Sequence, residues 1–222
     1  MASSEEKFFR RMMDNKHSQH IDRNRLSLLW QRLCQGDEEA LAELFKQQYI
    51  RLYNYGRKLI NDDEIVEDAI QDVFATIWRT RERLKPAASI TTYLIISLRR
   101  RLIRLKGKEH KEINLETYHT EAQPDIRFSA LDIMIASEND LEQRRIIADA
   151  INMLPVQKRE VIYLHFVNGM DYEEISQIMG LKGHTVRNYM SEALIRLKII
   201  ILNRAPHLKM LLLLAILLAS TQ

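Results

Sequence analysis

Apolar residues recur at helical spacing along most of this chain, and this feature limits its possible folds more than any other. The clearest stretch places apolar residues three or four positions apart between residues 65 and 78: Ile65, Val66, Ala69, Ile70, Val73, Phe74, Ile77 and Trp78. A period near 3.6 predicts an amphipathic helix. Only six glycines and four prolines interrupt the 222 residues. An all-α fold is therefore predicted.

The periodic segments fall into two groups separated by a region without a period. We predict two small helical domains, at 25–108 and 141–202, joined by a flexible linker at 109–140 that contains Pro124. A polar arm (1–24) precedes them and an apolar tail (203–222) follows. An apolar content of 46% suffices for two packed cores.

Polar residues at the expected helix starts predict capping interactions. Asp37 is expected to cap the second helix, after the first one stops at Gly36. Two pairs at capping-box spacing, Asn61 with Glu64 and Asp171 with Glu174, are expected to open later helices. Further helices are expected from about residue 91, from 141 to 154 and from 156 to 168.

The modest net charge of +3 hides two separate charge clusters. Residues 62–72 contain six acids and no basic residue, whereas residues 99–111 contain seven basic residues and one acid. A solvated face is the ordinary explanation for such a run. Clusters of opposite sign at separate places otherwise indicate two partners, or one partner with two surfaces.

Residues 171–198 have the pattern of a helix-turn-helix. A helix of about eight residues precedes a three-residue turn that begins at Gly180, and a helix of about sixteen follows. A shared core is expected from Ile175, Ile178, Val186 and Met190. In this arrangement the first helix braces the second, whose leading residues can enter a major groove.

The outer face of that second helix is predicted to bind DNA. It presents Lys182, His184, Arg187, Asn188 and Ser191. Periodicity alone fits a solvated face equally well, but the turn, the caps and the face together favour DNA. Arg187 can read guanine and Asn188 can read adenine through paired hydrogen bonds. Lys182 and Ser191 are equally suited to phosphates.

The amino-acid sequences of several segments resemble those of bacterial sigma factors. Residues 154–198, with LP at 154–155, REV at 159–161 and YEEI at 172–175, resemble region 4, which binds the promoter −35 element. Residues 36–59 and 67–84 resemble region 2, and residues 90–108 resemble its −10 recognition part. No segment resembles region 1 or region 3. The two-domain form is that of the extracytoplasmic function (ECF) family.

The resemblance assigns roles to both charge clusters. It implies that Asp68, Gln71 and Asp72 dock on the β′ clamp helices of core RNA polymerase. It implies that the −10 element is opened and held by Tyr93, Arg99, Arg100, Arg101 and Arg104. Many family members have Trp at the position of Tyr93 and Asn or Asp types at Arg100 and Arg104. The captured base is therefore not predicted, and Tyr93 is equally suited to the core.

The function that this resemblance implies is promoter-directed initiation of transcription in the cytoplasm. The polymerase performs the chemistry, so no catalytic residue, metal or cofactor is expected and the chain is not an enzyme. Two alternatives remain: a stand-alone helix-turn-helix regulator that binds DNA as a dimer, and a helical adaptor that uses its apolar tail. One cysteine, Cys34, and a polar start without a secretory signal fit a reducing compartment.

The apolar tail has several open interpretations. Its uninterrupted part, residues 210–219, has ten residues, whereas a membrane span needs about 20. No stable membrane span is therefore predicted. The tail could pack on the second domain or the linker, bind a partner such as an anti-sigma factor, or touch a membrane surface.

Overall fold

The fold consists of helices in two compact units. The structure, a computed structural model, describes residues 24–84, 89–109, 126–129, 132 and 141–204, and every regular element in those ranges is helical. The chain divides into a unit of residues 1–124 and a unit of residues 125–222. The predicted all-α, two-domain class is confirmed. Within the described ranges no helix is long and apolar enough to cross a membrane.

In its described residues, 24–84 and 89–109, the first unit contains four α-helices. Helix α1 covers residues 24–34, α2 is Glu38–Leu59, α3 is Asp63–Thr80 with a 3₁₀ turn at Arg81–Arg83, and α4 is Ile90–Glu109. Helices α2, α3 and α4 pack against one another. Their core is built from the periodic apolar positions, including Leu44, Leu52, Tyr55, Val66, Ile70, Phe74, Leu94, Leu98 and Leu102.

Aspartates cap the second and third helices. The Asp37 carboxylate accepts a hydrogen bond from the Ala40 N–H at 3.1 Å, which confirms the predicted cap. The capping box predicted for Asn61 and Glu64 is wrong, because Asp62 is the N-cap of α3 and accepts from the Ile65 N–H at 3.0 Å. Asp62 takes the N-cap position because it is the last residue with an extended backbone before the helix. From there its short carboxylate reaches the Ile65 N–H, three positions on.

A glycine sets the approach of α2 to α3. A Cβ atom on Gly56 would lie 2.6 Å from Cγ1 of Val66 and 3.4 Å from Cδ1 of Leu102. Gly56 is itself buried. A side chain there would therefore have to displace two core residues.

The second unit is built around its last helix. Helix α5 is Leu141–Asn152, α6 is Val156–Ile162, α7 is Tyr172–Met179 and α8 is Gly183–Arg204. Helices α5, α6 and α7 each pack against α8. The helix predicted at 156–168 changes to a π turn at Tyr163–Val167.

Part of the predicted linker packs on this second unit. Ile126 and Phe128 are buried. The Phe128 N–H donates to Asn152 Oδ1 at 2.8 Å, and Asn152 Nδ2 donates back to the Phe128 carbonyl at 2.9 Å. The expectations for the arm, for most of the linker with the apolar patch at 131–135, and for the tail lie outside the described residues, apart from Asn24, Asp132 and residues 203–204.

Candidate nucleic-acid interface

Two local signals fix the geometry of the helix-turn-helix. At the start of α7, the Asp171 carboxylate accepts from the Glu174 N–H at 2.8 Å and the Glu174 carboxylate accepts from the Asp171 N–H at 3.1 Å. This capping box is confirmed. At the other end, Gly180 has φ +66°, a conformation that glycine adopts without the penalty of a Cβ. The turn of residues 180–182 then leads into α8.

The two helices share the predicted core. Ile175, Ile178, Val186 and Met190 are all buried, the most exposed of them at 4%. Ala193 and Leu197 extend the same buried face along α8. The helical repeat therefore directs the remaining side chains of the first turns of α8 away from the unit.

The five side chains predicted to bind DNA are all exposed: Lys182, His184, Arg187, Asn188 and Ser191. They occupy the turn and the first nine residues of α8. The surface combines two cations with an amide, an imidazole and a hydroxyl, which are groups that read base edges or hold phosphates. Their individual roles remain predictions.

Two aromatic residues behind this surface were not predicted to matter. The His165 and Tyr172 rings stack with an interplanar angle of 11° and centroids 5.2 Å apart, and His165 Nδ1 lies 2.8 Å from the Met170 carbonyl oxygen. Burial raises the pKa of Tyr172, while the nearby Arg187 charge lowers it. Helical periodicity could not reveal the stacking of His165 on Tyr172, because His165 lies in the π turn and Tyr172 lies in α7.

On α4, three of the residues predicted for the −10 element share a face. Tyr93, Arg100 and Arg104 are spaced i, i+7 and i+11, which brings them to one side of a helix. Both arginines are exposed and Tyr93 is half-buried. The Tyr93 ring meets the Trp30 ring edge to face, with centroids 5.2 Å apart. Tyr93 thus packs on α1 through this ring contact and remains partly exposed.

The other two basic residues of α4 lie differently. Arg99 is half-buried and interacts within the protein. Arg101 forms an ion pair with Asp72 of α3. The structure therefore brings a residue predicted for DNA into contact with one predicted for the polymerase.

The acidic face of α3 is partly used by neighbouring tyrosines. Tyr49 and Tyr53 of α2 donate hydrogen bonds to Glu67 and Asp63, at 3.2 and 2.5 Å. The bond to Asp63 raises the pKa of Tyr53. Asp68, Gln71 and Asp72 lie on an adjacent face and are all exposed. Their i, i+3, i+4 spacing makes one continuous surface.

A helical unit with adjoining acidic and basic faces, beside a separate helix-turn-helix unit, defines a two-domain DNA-binding protein. Comparisons with known proteins narrow this class. Residues 44–112 match the family model "Sigma-70 region 2", and residues 144–197 match "Sigma-70, region 4". The two matches lie in different units and occur in the order that the sequence indicated.

Known proteins with similar sequences are named as sigma factors as well. ECF RNA polymerase sigma factor SigK of Mycobacterium sp. (strain JLS) is 24% identical over 174 residues, which cover 78% of this chain and 89% of the relative. SigK of Mycobacterium ulcerans (strain Agy99) is 23% identical over 170 residues, covering 76% and 89%. The solved structure of CnrH with the cytosolic domain of CnrY shares the fold, with a TM-score of 0.51 at 19% identity, covering 77% of this chain and 93% of CnrH.

The chain belongs to the ECF family of RNA polymerase sigma factors. It binds core RNA polymerase and promoter DNA and directs the initiation of transcription. It is a transcription initiation factor and not an enzyme.

Proposed function

We propose that α8 reads the promoter −35 element through Lys182, His184, Arg187, Asn188 and Ser191. The observation that carries this proposal is that all five are exposed on the leading part of a helix whose opposite face is buried. Arg187 and Asn188 read bases. Lys182 and Ser191 hold phosphates and set the register of the helix in the groove.

The −10 element is held by the exposed face of α4. Arg100 and Arg104 track the phosphates of the opened strand, and the accessible part of the Tyr93 ring offers a surface for an unstacked base. Arg99 and Arg101 have partners within the protein and shape this surface. The segment at 85–91, which ends in the first turn of α4, is also proposed to lie near the strand.

Core polymerase is bound by α3. Asp68, Gln71 and Asp72 dock on the β′ clamp helices. The ion pair between Asp72 and Arg101 supports a polymerase contact that adjoins the surface proposed for the DNA strand. Binding of polymerase and capture of the −10 strand therefore occur on adjoining faces of one small unit. The functional domains are residues 25–108 and 141–202, and the segment 109–140 sets their separation.

A protein inhibitor of the anti-sigma class is a further proposed partner. Its support is the solved relative CnrH, which was captured with the cytosolic domain of CnrY. The site of action is the cytoplasm, where polymerase and chromosome meet. No cofactor is needed, because the polymerase performs the phosphoryl transfer.

Run-off transcription with core polymerase on a promoter library tests the proposal directly. The chain is expected to start RNA synthesis at a subset of promoters that share two short elements. Co-migration with core polymerase on a sizing column is expected in parallel. A chain that bound duplex DNA but neither joined the polymerase nor initiated RNA would instead act as a stand-alone regulator.

Matched variants distinguish the role of the α3 surface in polymerase binding from the role of the α8 surface in DNA binding. Asp68→Ala with Gln71→Ala should weaken polymerase binding and leave binding of a −35 duplex unchanged. Arg187→Ala should do the reverse. Loss of both activities in either variant would contradict the division of labour between the two units.

A further inference from the structure

The exposed face of α8 that is proposed to read DNA changes from polar to apolar side chains halfway along the helix. His184, Asn188 and Ser191 lie on one stripe, and the next members at the same helical spacing are Ile195 and Ile199. These isoleucines are 61% and 55% exposed. Large apolar side chains aligned on a solvent-facing stripe are suited to cover by another apolar surface.

The chain itself carries a segment suited to cover them. Residues 210–219 read MLLLLAILLA, without a polar side chain, and begin eleven positions after Ile199. Pro206 lies between the end of α8 at Arg204 and this segment. The residue before a proline is disfavoured in helical geometry, so α8 does not continue into this segment and the chain can change direction there. A short tether also gives this segment an effective concentration in the millimolar range.

We propose that residues 208–219 fold back along α8, cover Ile195 and Ile199, and shield the adjoining part of the −35 reading face. A ten-residue helix is about 15 Å long, and the eight residues from Ile199 back to Ser191 span about 12 Å. A reversed segment starting near Ile199 therefore ends beside Ser191. The shielding part of this inference rests on the proposed −35 role of α8.

Disulfide trapping tests the docking without using DNA. In a Cys34→Ser background, Ile199→Cys is combined with a cysteine at each of positions 211 to 214 in turn. At least one pair should form a disulfide within a single chain, equally at high and at tenfold lower protein concentration. The control, Arg187→Cys, is exposed but lies twelve positions from Ile199, about 18 Å along α8, and should form none with the same tail cysteines. Absence of any intrachain disulfide, or disulfides only between two chains, would overturn the docking.

Binding to a −35 duplex obtained from the run-off selection tests the shielding. A chain that stops after Arg204 should bind about fivefold more tightly or better, the lower end of typical couplings between sites. With Ile195→Ser and Ile199→Ser in place, removing the tail should have no further effect. Equal affinity of the full and shortened chains would overturn the shielding. An intrachain disulfide without duplex binding by either chain would remove the −35 role of α8 and leave the docking in place.

Discussion

Arg187 and Arg196 offer a controlled comparison at the scale of single residues. Both are exposed arginines of α8, but nine positions separate them, which places them on opposite sides of the helix. Arg187→Ala is expected to cost about 1–3 kcal/mol of promoter binding and to relax the base preference at one −35 position. Arg196→Ala should leave the preference intact. Sequencing of transcripts from a promoter library measures both.

The outcome for Arg187 has a clear alternative. A phosphate contact would weaken binding by the same factor on every promoter, because phosphates carry no sequence information. Uniform weakening by Arg187→Ala would therefore contradict base reading and leave only a positioning role.

A substitution in the ion pair between Asp72 and Arg101 can distinguish a contribution to folding stability from a contribution to polymerase binding. The two paired side chains are 51% and 37% exposed, and exposed ion pairs contribute about 0–1 kcal/mol. Asp72→Asn should therefore change the free energy of unfolding by less than about 1 kcal/mol while it lowers the affinity for core polymerase. Glu39→Gln, another exposed acid of the same unit, is the control. Unchanged polymerase affinity in Asp72→Asn would remove Asp72 from the docking surface.

At the scale of elements, two glycines in helices are expected to respond in opposite ways. Gly56→Ala places a Cβ 2.6 Å from Val66 Cγ1, and overpacking of this kind costs about 1–3 kcal/mol. Gly183→Ala meets no atom nearer than 3.8 Å, and should be neutral or stabilise by up to about 1 kcal/mol. Denaturant unfolding of the two variants measures the difference. A second substitution, Val66→Ala, should recover part of the loss in Gly56→Ala.

The capping box of α7 is the second element with a measurable contribution. Asp171→Ala removes the hydrogen bond that the Glu174 N–H donates to the Asp171 carboxylate, and loss of a cap costs about 0.5–2 kcal/mol. Hydrogen exchange at the α7 amides should accelerate accordingly. Asp149→Ala, an exposed acid within α5, should leave that exchange unchanged. If α7 kept its protection without Asp171, the turn at Gly180 and the shared core would suffice to hold it.

At the scale of the whole molecule, the salt dependence of promoter binding counts the phosphates it holds. Replacing Arg100 and Arg104 with glutamine should reduce the slope of log K against log salt by about 1.4–1.8, since each lost phosphate contact removes about 0.7–0.9. The pair Arg99 and Arg101, both of which have partners within the protein, should change the slope less. Filter binding of the polymerase complex between low and moderate salt measures this. Equal slopes for both pairs would mean that the face with Tyr93 is not the one that follows the strand.

Periodicity predicted the helices because burial imposes a repeat that is visible in the residues themselves. Helix α8 buries Val186 and Met190 and exposes Arg187 and Asn188. This division follows directly from the spacing of the apolar residues in the sequence. The start of α7 was predictable for a related reason, because a capping box joins residues only three positions apart. The start of α3 was not, since Asn61 and Asp62 are both residue types that cap helices and only the backbone geometry selects Asp62.

The sequence by itself determined that this chain forms helices, where most of them begin, and which faces are apolar, because these features depend on interactions within a few residues. The tertiary structure alone decided which groups that lie far apart in the chain contact one another. Arg101 lies against Asp72, twenty-nine positions away, Phe128 bonds to Asn152, and the Tyr93 ring packs on Trp30. Contacts of this kind join residues distant in the chain, so they arise only when the helices pack, and no local pattern encodes them.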